Sequence, residues 1–123
     1  MAKRHHKDTQ FRRSPCPVAC ALDIIGDKWT LLVVRDLTIG KRTYSEFLDS
    51  PENIPTNILA ERLKRLVEYE IVEKKPYQMH PRRYAYTLSA KGRDLESVIM
   101  SMVHWGEKHI PGSKAYLLAD KKR

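Results

Sequence analysis

The chain has 123 residues, 41% apolar and 31% charged, which suits one soluble globular domain and excludes a disordered or fibrous chain. Two cysteines are too few for a disulfide-stapled scaffold, and no apolar run approaches the roughly 18 residues of a membrane span. The net charge of +8 is unevenly placed: residues 1–13 carry +4, residues 72–93 carry +5 and residues 114–123 carry +3, while 14–55 and 94–113 are each −2. Basic projecting parts on a neutral body suit a polyanion partner, or equally a surface kept basic for solubility. The first residues lack the apolar stretch of a signal peptide, so a cytoplasmic location and no membrane partner are expected.

Residues 1–14 are polar and aperiodic and read as a flexible basic arm. Pro17 suits the first position of a helix in which Val18, Ala21, Leu22 and Ile25 form a buried stripe, and Gly26 ends it. Asp27 caps a second helix, Lys28–Thr38, whose apolar residues cover most of its circumference. Such a helix belongs at the centre, and Gly40 stops it. Residues 41–43 form an extended link to a short helix, Tyr44–Ser50, with Tyr44, Phe47 and Leu48 on its apolar face. Residues 50–53 are turn chemistry. A longer helix runs from Pro55 or Thr56 to Tyr69.

The period then changes. Ile71–Gln78 and Arg83–Leu88 alternate as strands around a loop at 78–82, and Pro76 implies a free strand edge. Ser89 caps a last helix that runs unbroken to His109, about 30 Å at 1.5 Å per residue. The fold class is mainly α with a small β-hairpin (α+β). Helix, helix, short helix, turn, helix, hairpin and long helix is the layout of a winged helix-turn-helix, with the domain at 15–110 and a basic tail at 111–123.

The helix from 56 onward has the faces that a duplex reader needs. Leu59, Leu63 and Leu66 form its buried line. The opposite side carries Asn57, Ala60, Glu61, Lys64 and Glu68, with Thr56 and Arg65 flanking. Its first turn is small and uncharged, so base edges can approach, and Asn57 pairs well with adenine. Lys64 and Arg65 are better placed for phosphates. Glu61 either accepts from a cytosine amine or pairs with Lys64 or Arg65 on its own helix. At the hairpin tip, His80, Arg82 and Arg83 suit a minor groove or its phosphates, whereas Tyr77, Tyr84 and Tyr86 are expected to pack the hairpin onto the helices.

These residues match a known pattern. The chain resembles the HxlR-type transcriptional regulators, a branch of the MarR-like winged-helix proteins. The resemblance rests on Cys16-Pro17, on Ile25 through Leu32 and Arg35-Asp36-Leu37, on Tyr44 through Phe47, on Leu59 through Leu66, on Tyr84 through Gly92, and on Trp105-Gly106. It implies a homodimer that binds double-stranded DNA, joined through its N- and C-terminal helices. Two departures stand out. Glu70 occupies a turn that usually carries Gly, so the end of the reading helix is expected to differ, and Pro55-Thr56 replaces the usual Ser-Pro.

The last helix agrees with a dimer, because Leu95, Val98, Ile99, Met102, Val103 and Trp105 exceed what so small a domain needs inside. Val18 on the first helix joins that surface. Cys16 sits at a helix N-cap, where the dipole and the nearby Arg12 and Arg13 favour a thiolate. The resemblance adds that a cysteine at this position senses oxidants or electrophiles in some members, so an oxidant or small-molecule effector is a candidate, the alternative being a quiet cap residue. A Cys16–Cys20 bond within one helix is geometrically poor. The histidines form no metal set, and the chain lacks a phosphate-cradling glycine loop and a nucleophile or zinc-protease motif. No metal, no cofactor and no enzyme activity is expected. The competing reading is a basic adaptor that docks on an acidic protein.

Overall fold

The computed structural model describes residues 13–116. Among the described residues, six helices and one hairpin follow in the order α1 (Pro17–Ile25), α2 (Thr30–Thr38), α3 (Tyr44–Leu48), α4 (Thr56–Glu68), β1 (Val72–Met79), β2 (Arg82–Leu88), α5 (Ala90–Arg93) and α6 (Glu96–His109). The core forms where α2, α3, α4, the base of the hairpin and α6 converge. Val33, Val34 and Leu37 of α2 meet Phe47 of α3, Leu59, Leu63 and Leu66 of α4, Ile71 and Val72, Tyr86 of β2 and Ile99 of α6. The central place read for the second helix and the leucine stripe of α4 are both borne out. No helix among the described residues is long and apolar enough to cross a membrane.

Three expectations are corrected, and the C-terminal segment adds a contact that spacing does not foretell. The stripe on α1 is not buried: none of its residues is, and Val18 and Leu22 remain 66% and 51% exposed. The last helix is broken. Asp94 and Leu95 tighten the turn between α5 and α6, with the Leu95 amide donating to the Gly92 carbonyl (3.0 Å). The break lets Gly92 sit against the chain at Ile71, where a Cβ would lie 2.2 Å from the Ile71 carbonyl oxygen, while α6 still delivers Ile99 to the core. Ile99 is therefore a core residue at 6% exposure, not an outward one, and Leu95 and Val103 are half-buried against the same core. Val98, Met102 and Trp105 stay exposed. Finally, the described part of the C-terminal segment folds back. The Lys41 ammonium donates to the Tyr116 hydroxyl (2.9 Å), and the Arg35 guanidinium lies 4.7 Å from the Tyr116 ring centre.

The hairpin is tighter than read. Met79 pairs with Arg82, leaving His80-Pro81, joined by a cis peptide, as the whole turn. The register slips between Pro76 and Gln78, so Tyr77 has no partner opposite it. The Tyr86 amide donates to the Arg42 carbonyl (2.9 Å), which anchors the extended link at 41–43 to the hairpin.

Glu70 does not change the helix end that it was expected to change. It adopts φ +64°, and the amides of Glu70 and Ile71 donate to the carbonyls of Val67 and Leu66 (2.9 Å each). The left-handed cap is kept with a side chain that disfavours it. The contacts around it hold the conformation: the Ser89 hydroxyl donates to the Glu70 carbonyl (2.7 Å), and the Lys91 ammonium to the Tyr69 carbonyl (2.7 Å). Glu70→Gly should therefore stabilise the fold by about 0.5–1 kcal/mol, relief of strain outweighing the extra freedom of the unfolded chain. Urea unfolding should show a higher midpoint at unchanged slope.

Candidate nucleic-acid interface

The outward face of α4 is set by what holds its inward face. Asp27, on the turn before α2, accepts hydrogen bonds from the amides of Trp29 (3.0 Å) and Thr30 (3.1 Å) and from the Thr30 hydroxyl. It thus caps α2, as read, though the helix proper starts at Thr30. The same carboxylate accepts from Arg62 Nε (2.9 Å) and Arg65 Nη2 (3.0 Å) of α4. Partial burial opposes its charge. Hydrogen bonds from Thr30, Arg62 and the two amides outweigh that and hold the carboxyl well below the usual carboxylate range.

This arrangement reassigns two arginines. Arg65, expected at a phosphate, turns inward to Asp27, the Ile24 carbonyl and the Thr30 hydroxyl. Arg62, absent from the reading of the site, is 17% exposed and bonds both Asp27 and Glu61. Glu61 accordingly pairs with Arg62, not with Lys64 or Arg65. Thr56, Asn57 and Lys64 are exposed and Ala60 is half-exposed. Among the described residues, no side chain pairs with Lys64.

A second polar cluster fixes the turn that leads into α4. Arg35 bonds both carboxylate oxygens of Glu52 (2.8 Å each) and one oxygen of Asp36 (2.8 Å), while Ser50 donates to the other oxygen of Asp36 (2.6 Å). Burial pushes Asp36 up, against the opposing hydrogen bond from Ser50 and the charge of Arg35. Arg35 holds Glu52 below its ordinary value. At the start of α3, the Glu46 carboxylate accepts from the amides of Arg42 (2.7 Å) and Thr43 (3.1 Å).

The hairpin carries His80, Arg82 and Arg83 outward, all exposed, and none of their side chains has a partner among the described residues. Gln78 Nε2 donates to the Pro81 carbonyl (3.1 Å) and braces the tip. Only part of the expectation for the tyrosines holds. Tyr86 is buried against Phe47 and Tyr44, and burial pushes its phenol up to about 12. Tyr84 is half-buried beneath Lys74 (4.2 Å from the ring centre), but Tyr77 is 55% exposed.

A sequence profile described as HxlR-like helix-turn-helix matches residues 24–114. The chain belongs to this family. An HTH-type transcriptional regulator of Mycobacterium tuberculosis is 36% identical over 94 residues, 76% of this chain but 59% of that protein, so the chain spans less than two thirds of its mycobacterial relative. HTH-type transcriptional regulator YodB of Bacillus subtilis is 33% identical over 94 residues, 76% of this chain and 84% of its own. Among solved structures, the redox regulator HypR in its reduced form superposes at a TM-score of 0.72 with 31% identity, covering 78% of this chain and 95% of that one. The winged helix-turn-helix architecture and the HxlR resemblance read from the sequence are thereby borne out.

In this HxlR-like chain both cysteines belong to α1 and its cap. Cys16 is exposed at the N-cap of α1, and the amides of Ala19 and Val18 lower its thiol below the ordinary value. Arg13 does not serve the thiolate as expected, because it pairs with Asp23 (2.8 Å), and Arg12 lies outside the described residues. Cys20 is half-buried and its thiol donates to the Ser14 carbonyl (3.5 Å). Among the described residues, no three His, Cys, Asp or Glu are grouped to hold a metal.

Because Asp27 has a folded-state pKa below its unfolded value, it stabilises the fold fully above about pH 4, and that stabilisation is lost as pH falls through the folded value. Asp27→Asn should cost about 2–3 kcal/mol between about pH 5 and 8 in urea unfolding. The gap to the wild type should narrow below about pH 4.

Proposed function

We propose that the chain is a homodimeric, sequence-specific double-stranded-DNA-binding transcriptional regulator. The observation that carries this reading is a division among cations. Arg35, Arg62 and Arg65 are committed to internal carboxylates, while Lys64, Arg82 and Arg83 are exposed and have no side-chain partner among the described residues. Thr56, Asn57, Ala60 and Glu61 face base edges in the major groove, Lys64 meets the phosphates, and His80, Arg82 and Arg83 lie on the neighbouring minor groove. The family membership and the relatives named transcriptional regulators support it.

A second copy covers the apolar surface left on the end helices, namely Val18 and Leu22 of α1 with Val98, Met102 and Trp105 of α6. Two copies set their reading helices about 34 Å apart, one duplex turn. Cys16 is the thiol that an oxidant or electrophile reaches first. Its exposure and lowered pKa support this, and HypR is described as a redox regulator.

Arg82→Ala and Arg83→Ala should weaken binding to every duplex alike, read by fluorescence anisotropy. Asn57→Ala should instead lose about 1–3 kcal/mol of discrimination at particular bases. With six to ten phosphates neutralised per dimer, affinity should fall about 10³–10⁵-fold between about 50 and 200 mM salt. Salt-insensitive capture of an acidic protein in place of DNA would favour the adaptor reading. For the thiol, alkylation of Cys16 should reach half its maximal rate at a lower pH than alkylation of a free cysteine. Cys16 reacting no faster than Cys20 at neutral pH would remove it as sensor.

A further inference from the structure

The segment that leaves α6 is turned back by its own backbone. Gly112 takes φ +83°, a conformation that L side chains rarely adopt. The Ser113 hydroxyl then donates to the Gly106 carbonyl (2.9 Å) and its amide to the Ile110 carbonyl (3.1 Å). The reversed chain forms one wall of a groove of about 280 Å³, with Leu31 and Leu32 of α2 and Met102 and Val103 of α6 on the others. Tyr116 follows, half-buried, past residue 114 where the HxlR-like match stops.

Tyr116 meets two cations at once. The Arg35 guanidinium lies 4.7 Å from its ring centre and the Lys41 ammonium 5.2 Å, and Lys41 also donates to its hydroxyl (2.9 Å). The negative face of the ring attracts both. Each cation already belongs to the cluster that fixes the turn before α4. Lys41 donates to the Ser50 hydroxyl (2.8 Å), Ser50 donates to Asp36, and Arg35 bonds Asp36 and Glu52. Two cations and two carboxylates balance, so the ring is not needed for neutrality. What it supplies is confinement. A lysine loses much rotamer freedom when its ammonium is fixed, and a second acceptor beside Ser50 offsets that cost. The turn needs such support, because Asn53 sits at φ +58°.

We propose that Tyr116 is a positioning residue for α4: by holding Arg35 and Lys41 on the turn at 50–53, it fixes how Thr56 and Asn57 are presented to bases. The second half rests on the DNA-reading role of α4 proposed above, while the hold on the turn does not. A side chain that met phosphates would strengthen binding to every duplex alike. One that aims a reading helix acts on discrimination.

The test uses the 123-residue chain and its variants Tyr116→Ala, Tyr116→Phe, Lys41→Met and Lys41→Met/Tyr116→Phe. Amide hydrogen exchange is followed without DNA. Tyr116→Ala should speed exchange at Ser50 and Asn53 about five- to tenfold relative to Leu63 in the core. Tyr116→Phe keeps the ring over Arg35 and loses the acceptor for Lys41, so its effect should be about two- to threefold. In the Lys41→Met background, Tyr116→Phe should add nothing, since the hydroxyl has already lost its donor. In fluorescence anisotropy, Tyr116→Ala should bind a duplex enriched from random DNA about five- to tenfold more weakly, and unselected duplex within about twofold of the wild type.

Exchange that rises equally at Leu63, or stays unchanged at Ser50 and Asn53, would overturn the hold on the turn. So would additive effects in the double variant. Equal weakening on both duplexes, or undiminished discrimination, would overturn the positioning role. A wild type that binds no duplex would sink the DNA reading and with it the positioning role, while the exchange measurements would still decide the hold on the turn.

Discussion

One carboxylate organises the outward face of α4. Asp27 closes the N-terminus of α2 and, with the same two oxygens, holds Arg62 and Arg65 of α4. A cap residue ordinarily satisfies amides of one helix. Here the negative charge needed at the start of α2 is also the anchor for a second helix, and two cations on α4 are paired without entering the core. Rotation of α4 about its axis would break both arginine bonds and unseat Leu59, Leu63 and Leu66 together. The direction in which Thr56, Asn57 and Lys64 point is therefore over-determined by packing on one side and ion pairing on the other.

The two ends of α4 are held as firmly as its middle. Arg35 ties Glu52 and Asp36 into the preceding turn, and Ser50 completes that cluster. Beyond the helix, Ser89 and Lys91 bond the carbonyls of Glu70 and Tyr69, and Gly92 allows α5 to approach Ile71 closely. Those contacts also seat the base of the hairpin, so helix and hairpin are positioned by one set of hydrogen bonds. Rigid support of this kind preorganises an interface and lowers the ordering cost of forming it. Arg35, Arg62 and Arg65 are committed inward, whereas the arginines at the tip have no side-chain partner among the described residues.

Much of this was legible in the sequence wherever it depended on local period. The leucine stripe of α4, the two strands and the Asp27 cap all follow from spacing and residue type. What spacing does not reveal is where a residue's partner lies. Arg65 and Lys64 read alike as exposed cations, but Arg65 finds Asp27, 38 positions earlier, and Lys64 finds nothing among the described residues. Val18 and Ile99 fit equally well in an apolar stripe, yet one is outside and the other is packed into the core by α2, α4 and the base of the hairpin. Glu70 was read as a disturbance because the penalty of a left-handed side chain is local, whereas the bonds that offset it come from Ser89 and Lys91. Tyr77 was read with its neighbours as packing because a slip of one residue in register leaves no mark on alternation.

The most direct test is selection of bound fragments from random duplex DNA by the 123-residue chain, followed by hydroxyl-radical footprinting of the enriched sequence. Two copies of α4, each fixed by its own Asp27, should enrich a pseudo-palindrome whose half-site centres lie about 10 base pairs apart on one face of the duplex. Protection should extend to the flanking minor grooves where the hairpin tips lie. No enrichment over the starting pool, or an isolated half-site with no two-fold partner, would contradict it.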